Sequence, residues 1–236
     1  FTNYKGFMTQ VGVNVLMEDR LGGQMDFEKD MVPSLTNPYG ISIKTNRVTG
    51  YLKSGIVSED QHTALAVVSN FTAHKTNSFY GITDYDASET RFYGNIIFTR
   101  DLDEAAVHVL NSGVSFVHDA ITESLYTRNL DRTESVPGVF SEYTLKPAKR
   151  LTFMAGIRAD FHNIYGTFVT PRMHFRYKLN DHYTFRANAG KGYRSANVVS
   201  ENNYLLAGYR GLNFTDKSML EEAWNYGVSF VQDYKL

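Results

Sequence analysis

Apolar and polar residues alternate with a period of two along much of the second half of the chain. From Leu151 to His162 the sequence LTFMAGIRADFH places apolar residues at odd positions and mostly polar or small ones at even positions. Successive side chains of a β-strand point to opposite faces, so the pattern predicts a strand with one apolar and one polar face. It recurs at 172–179, 183–190 and 224–230, and the first three of these four segments are predicted to be joined as hairpins.

The first half of the chain is less regular but follows the same plan. It predicts six further strands, near 6–17, 43–56, 62–73, 91–99, 105–118 and 139–145. Helical periodicity is weak throughout. The segment DKSMLEEAWNY could begin a helix, but its aromatic alternation favours a strand. The sequence therefore predicts an all-β fold, an antiparallel meander of about ten strands.

Connections of two lengths alternate along this meander. Short turns are predicted near 58–61, 100–104, 146–149 and 179–181, and longer loops near 19–40, 74–88, 119–135, 163–168 and 195–221. Because each strand reverses direction, every long loop would project from one rim and every short turn from the other. Outer-membrane barrels show this asymmetry. It favours a segment of a large transmembrane β-barrel over a soluble sandwich.

Composition narrows the class of protein further. The 236 residues include 16 tyrosines and 16 phenylalanines, which favour strands, and no cysteine, which excludes disulfides and thiolate metal sites. A formal net charge of -1 gives no indication of a nucleic-acid partner. No apolar run approaches the roughly 20 residues of a spanning helix, whereas a mean hydropathy of -0.33 suits barrel strands. The chain begins and ends in strand-like sequence, so we expect a segment of a larger protein.

The stretch FRANAGKGYRSAN, at 185–197, raises the question of a phosphate-binding loop. A Walker loop needs a glycine, four further residues and then Gly-Lys followed by Ser or Thr at a strand-to-helix turn. Here Gly190-Lys191-Gly192 is followed by Tyr193, no earlier glycine has the required spacing, and no βαβ unit surrounds the stretch. The stretch is therefore predicted to be a strand.

The sequence contains no recognisable catalytic or metal-binding motif. Its seven histidines are scattered without HExxH or paired-ligand spacing, and no two carboxylates stand out as a general acid and base. We therefore predict no catalytic residue, no metal site and no cofactor, and we do not expect an enzyme.

The last long loop carries the most promising ligand-binding chemistry. It combines aromatic faces with amide, carboxylate and guanidinium groups, which are used in ligand recognition. Polar aromatic residues are also ordinary on an exposed barrel rim, and that is the plainer interpretation of each one. The candidate ligand-binding residues of the loop and lumen are Glu201, Asn202, Asn203, Tyr204, Tyr209, Arg210 and Arg194.

Several stretches resemble TonB-dependent outer-membrane receptors. They are GGQMDF from Gly22, PGVFSEYTL from Pro137, LTFMAGIRADFHN from Leu151, TPRMHFRYKLND from Thr170, FRANAGKGYRSANVVSENNYLLAG from Phe185 and LEEAWNYGVSF from Leu220. Their order and spacing resemble the central barrel of that family. The most specific feature is an aromatic strand ending in GYRSAN, then a loop leading to EEAWNYG. The resemblance implies that residues 1–236 are part of a TonB-dependent receptor β-barrel domain.

This resemblance implies an outer-membrane barrel of about 22 strands in a Gram-negative bacterium, in contact with lipid and closed around an N-terminal plug. The implied function is TonB-energised uptake of a scarce or large nutrient such as a ferric siderophore, a cobalamin-like complex or a glycan. The sequence shows no plug and no TonB-binding segment, so TonB would act through parts of the parent protein outside this chain. A passive porin-type barrel and a soluble all-β binding module are the alternatives.

The alternation also assigns the two faces of the later strands. We expect Tyr183, Phe185, Met173, Phe175, Tyr177, Trp224, Tyr226 and Phe230 to face lipid, and Arg158, His174, Arg176, Arg186 and Arg194 to face the lumen. Ten strands taken from a larger barrel leave two unpaired edges, whose backbone groups are costly to expose in lipid. We therefore expect the isolated segment to re-close, to pair with another copy or to aggregate.

Overall fold

The computed structural model of the chain describes residues 2–4, 6–28, 30–126, 128–208 and 220–233, most of them in one antiparallel sheet. The strands are β1 (Thr2–Tyr4), β2 (Phe7–Gly23), β3 (Gly40–Val57), β4 (Thr63–Tyr80), β5 (Thr83–Asp101), β6 (His108–Leu125), β7 (Arg128–Asn129), β8 (Arg132–Ala148), β9 (Leu151–His162), β10 (Gly166–Lys178), β11 (Tyr183–Ser195) and β12 (Leu220–Gln232). They lie side by side in chain order, except that β8 follows β6 directly and the short β7 pairs only with β6. The predicted all-β meander of about ten strands is confirmed, because each predicted strand corresponds to one long strand.

The described chain also contains two short helices. The helix α1 (Val198–Glu201) and the 3-10 helix (Asn203–Ala207) lie between β11 and β12. Within the described ranges, no helix is both long enough and apolar enough to cross a membrane.

The lengths of the connections correct one part of the sequence prediction. At one end of the sheet, which we call the turn rim, the connections 58–62, 102–107, 149–150 and 179–182 are all short, as predicted. At the other end, the loop rim, the connections 24–39 and 196–219 are long, again as predicted. The loops predicted at 74–88 and 119–135, however, are mostly strand, and the loop predicted at 163–168 is only the short turn 163–165. Only 81–82 separates β4 from β5, and 126–131 with the short β7 separates β6 from β8.

The ladder registers sort the side chains onto two faces. On β10 and β11, Arg176 lies opposite Arg186 and Tyr177 lies opposite Phe185, and Phe185 in turn lies opposite Phe230 of β12. Extending these registers across the sheet gives one apolar and one polar face, and each set of residues assigned from the alternation lies on a single face. The apolar face has no cover within the described chain, since Val13 and Val228 are each 73% exposed.

The apolar band stops short of the loop rim, although the strands continue. On β4, Phe71 and Ala73 of the apolar face are followed on the same face by Lys75 and Asn77. The Asn77 amide donates to the Asp86 carboxylate of β5 at 2.8 Å, on what would otherwise be the apolar face. We call the loop-rim part of β3 to β8 the upper wall. It begins on the loop-rim side of Val48 in β3, Phe71 in β4, Phe92 in β5 and Phe116 in β6. Polar groups occupy both of its faces, so the period-two pattern that reveals a strand in sequence is lost there.

The sheet extends less far toward the loop rim at β9 and β10 than at β8. The ladder between β8 and β9 reaches only Gly138, and β8 continues beyond it to Arg132. Asn163 satisfies part of the exposed edge of β8. Its main-chain N–H donates to the carbonyl of Ser135 at 3.1 Å, and its side-chain amide accepts from Ser135 N–H at 2.8 Å and donates to the Thr133 carbonyl at 2.9 Å.

The strands β10 and β11 separate near the glycines of GKG. Their ladder ends where Arg172 meets Gly190, although both strands continue toward the loop rim. Pro171, the next residue of β10, has no N–H to donate to a ladder. Beyond this point the ring of Tyr193 stacks on Phe168 with centroids 4.6 Å apart. The stretch FRANAGKGYRSAN is thus a strand, as predicted, and its last part turns toward the polar face of β9 and β10.

This separation can be tested with paired cysteines, since the chain has none of its own. Because Arg172 lies opposite Gly190, a continued ladder would place Phe168 opposite Arg194, with Tyr193 on the other face. We expect a short thiol-specific cross-linker to join the pair F168C/Y193C much more efficiently than the pair F168C/R194C, measured by gel shift in the folded protein. Preferential cross-linking of the second pair would show that the ladder continues.

Candidate ligand-binding site

The segment after β11 folds back onto the upper wall. The helix α1 buries Val199 and the 3-10 helix buries Leu206, which are 2% and 3% exposed, against Tyr80, Tyr85 and Leu125. Full burial of an aliphatic side chain of this size contributes about 1.5–3 kcal/mol. A four-residue helix has no stability of its own, so this apolar contact is what holds the segment over the sheet.

The other long loop joins the same structure. Gln24 closes the base of this loop: its N–H donates to the Tyr39 carbonyl at 2.9 Å and its side-chain carbonyl accepts from Tyr39 N–H at 2.8 Å. The Tyr39 hydroxyl then donates to the carbonyl of Ala207 at 3.1 Å. The two longest connections of the chain therefore meet above the upper wall.

A cavity of about 490 Å³ lies under this segment, against the polar face of β2 to β6. Asn197, Ser200 and Asn203 line it from the loop side. The wall contributes charged, aromatic and apolar groups, among them Arg47, His74, Tyr80, Tyr85, Glu123 and Ile121. The volume of this concave site lies in the range of small-molecule sites, and polar residues outnumber apolar ones in its lining.

The buried end of the cavity is held by the Tyr85 and Glu123 side chains. The Tyr85 hydroxyl donates to the Glu123 carboxylate at 2.8 Å. Burial raises the pKa of the Tyr85 phenol far above its usual value, and the neighbouring carboxylate adds to the shift. The phenol therefore stays protonated and remains a hydrogen-bond donor at any physiological pH.

A network of charged groups lies beside the cavity. The Arg132 guanidinium is 3.0 Å from Glu134 and 4.0 Å from Glu123, and all three side chains are nearly buried. Glu134 also accepts a hydrogen bond of 2.6 Å from the Ser195 hydroxyl, and His162 lies 3.4 Å away. Ser195 thus donates to a carboxylate rather than to the imidazole, so the group does not form an activated nucleophile.

Sequence reasoning missed this network because it placed residues 119–135 in a loop. The available signal was the spacing of charges two positions apart, at Arg132 and Glu134, which matches the side-chain period of a strand. Among the residues that the structure describes, no group of three or more His, Asp or Glu side chains could hold a metal ion.

The structure brings together two of the predicted site residues, Arg194 and Glu201. The Arg194 guanidinium is 2.9 Å from Glu201 and 2.7 Å from Glu221 of β12. Glu201 also accepts from the N–H of Asn197 at 2.9 Å, and this hydrogen bond, followed by the charge of Arg194, holds the pKa of the carboxyl below its usual value. This geometry fixes the start of α1 to the ends of β11 and β12.

The other predicted site residues lie in different surroundings. The Asn202 amide donates to the carbonyl of Val198 at 2.9 Å and stabilises the turn between the two helices. Asn203 lines the cavity, whereas Tyr204 is 67% exposed to solvent. Tyr209 and Arg210 lie outside the described residues.

Comparison with known proteins gives a consistent result. The family model for the TonB dependent receptor-like β-barrel matches residues 20–235. Among solved structures, the alcaligin outer-membrane receptor FauA of Bordetella pertussis is similar with a TM-score of 0.58 and 13% identity, over 81% of this chain and 34% of FauA. No curated protein sequence matches the chain.

Two further solved structures have lower scores. The ferric enterobactin receptor PfeA of Pseudomonas aeruginosa, a mutant form, gives a TM-score of 0.44 at 11% identity, over 85% of this chain and 41% of PfeA. The siderophore receptor PirA of Acinetobacter baumannii gives 0.43 at 13% identity, over 79% of this chain and 39% of PirA. The chain thus spans between about a third and two fifths of the length of these receptors. Because the family model matches nearly its whole length, the chain belongs to the TonB-dependent receptor β-barrel family.

Proposed function

We propose that this chain forms part of the wall and of the ligand-binding rim of a Gram-negative outer-membrane receptor, which takes up a nutrient by TonB-energised active transport. Family membership supports the transport class. The observation that carries the role of this segment is the cavity of about 490 Å³ between the upper wall and the loop after β11. A ferric siderophore, a cobalamin-like complex and a glycan are the candidate ligands.

The two faces of the sheet support a position in a bilayer. Transmembrane barrels carry an outward apolar band about 25 Å tall and a polar interior. In this chain the band is exposed on β9 at Phe153, Ile157 and Phe161, and charged side chains such as Arg158 and Asp160 occupy the opposite face. The apolar band would face lipid and the upper wall would stand above it on the extracellular side.

The predicted site residues divide into two roles within this proposal. Arg194 and Glu201 position α1 through their ion pair, and Asn202 stabilises the turn that follows. Asn203 and Tyr204 present their side chains to the cavity and to solvent, so they would contact the ligand. Tyr209 and Arg210, in the same loop, are proposed as further contacts. The TonB complex would act through parts of the receptor outside this chain.

The position of the membrane can be tested by a charge on each face of adjacent strands. In the full-length receptor, I157R places a cation in the middle of the exposed apolar band, and we expect it to lower the free energy of unfolding from lipid vesicles by about 2–4 kcal/mol. T144R adds a cation to the polar face of the neighbouring strand β8, opposite Met154, and should change this free energy by less than about 0.5 kcal/mol. Denaturant titration gives both values. Equal effects of the two substitutions would exclude a lipid-facing band.

The role of the rim can be tested with two exposed tyrosines. Once a ligand has been identified by growth of the producing strain on candidate nutrients, Y204A should raise the half-saturating ligand concentration about fivefold or more, the effect of losing one significant aromatic contact. Y226A is the matched control, since Tyr226 is 74% exposed but lies on the apolar face. Uptake of labelled ligand by whole cells measures both. Unchanged uptake in Y204A would remove this residue from the proposed site.

A further inference from the structure

Two arginines of the polar face lie directly opposite each other near the turn rim. Arg176 of β10 and Arg186 of β11 are paired in the ladder, two residues from its last pair, which is Lys178 with Thr184. Both arginine side chains are exposed. Like charges placed directly opposite on neighbouring strands repel each other and destabilise a sheet. This part of the sheet therefore carries an electrostatic cost.

The other arginines assigned to the polar face of β9, β10 and β11 are all paired with carboxylates. Arg158 pairs with Asp160, Arg172 with Glu142, and Arg194 with Glu201 and Glu221. No carboxylate among the described residues lies within ion-pair distance of Arg176 or Arg186. Only the two arginines nearest the turn rim lack a carboxylate partner among the described residues. A general shortage of acidic residues on these strands therefore does not explain the difference.

The neighbours of the two arginines are hydrogen-bonding groups without negative charge. Thr152 of β9 lies opposite Arg176, and Ser229 of β12 lies opposite Arg186. One ladder step closer to the loop rim on this face, His174 lies opposite Asn188. Guanidinium groups present a planar fork of donors that matches the oxygens of a carboxylate or phosphate group, and hydroxyl and amide groups can complete its coordination.

We propose that Arg176 and Arg186 form a binding site for an oxyanion group, a carboxylate or a phosphate, on the polar face near the turn rim. The bound group would offset the repulsion between the two guanidinium groups. It could come from a soluble anion or from an acidic side chain of a polypeptide segment of the receptor lying against this face. The site lies near the turn rim, at the opposite end of the strands from the cavity at the loop rim. The proposal does not depend on which ligand that cavity binds.

The test uses the full-length receptor in detergent and inorganic phosphate as the probe. Thermal unfolding is followed with and without phosphate at constant ionic strength, for the wild type, R176M, R186M and R150M. Arg150 is the matched control, because it is an exposed arginine at the turn rim whose described contact is with the Leu179 carbonyl. For a soluble anion, phosphate should raise the midpoint of the wild type and of R150M, and each site substitution should weaken the apparent phosphate affinity about tenfold or more.

A different result is expected if an acidic side chain of the receptor already occupies the site. Phosphate then has no effect on the wild type, and R176M and R186M lower the midpoint relative to R150M. The variants R176K and R186K keep the charge and should recover most of this loss, which a purely steric role of the arginine would not allow. The proposal is overturned if phosphate has no effect and R176M leaves the midpoint unchanged or raises it, as relief of an uncompensated repulsion would do.

Discussion

Backbone pairing between neighbouring strands is the interaction on which the rest of this molecule depends. The sheet has no continuous apolar core, and the six buried apolar side chains of the described chain belong to the loop-rim end of the strands or to the segment that covers it. Ladders of up to 18 residue pairs, such as that between β4 and β5, instead satisfy the peptide groups along almost the whole wall. Because the backbone pairing does not require an apolar core, one face of the sheet can be apolar and the other hydrophilic.

This arrangement explains which parts of the fold could be predicted from sequence. The strands from β9 to β12 alternate cleanly because one face is apolar, and their positions and faces follow directly from the period of two. In the upper wall the ladder continues under residues such as Lys75, Asn77 and Asp86, where the face that is apolar elsewhere becomes polar. Polarity therefore suggested loops at 74–88 and 119–135, although most of the backbone there is paired in the ladders, as it is in the apolar band.

The candidate site could be predicted only in part, for a related reason. The loop after β11 was identified by its composition, and Arg194 and Glu201 do meet in space. The helices within that loop are held by the contact of Val199 and Leu206 with Tyr85, which lies on β5, more than 100 residues earlier in the chain. The cavity is likewise shared among five strands and the loop, so no local pattern could define it. Contacts of such long sequence separation leave little trace in a single sequence.

The sheet extends farther toward the loop rim at β8 than at β9, and the loop after β11 is oriented with respect to this difference. The hairpin of β9 and β10 ends at Asn163, while β8 continues to Arg132, so the rim descends along the sheet from β8 to β9. The loop after β11 starts on the low side and reaches back to the tall side, where its apolar residues are anchored. The described part of this loop is therefore anchored on the higher side of the rim, far from the strand out of which it leads.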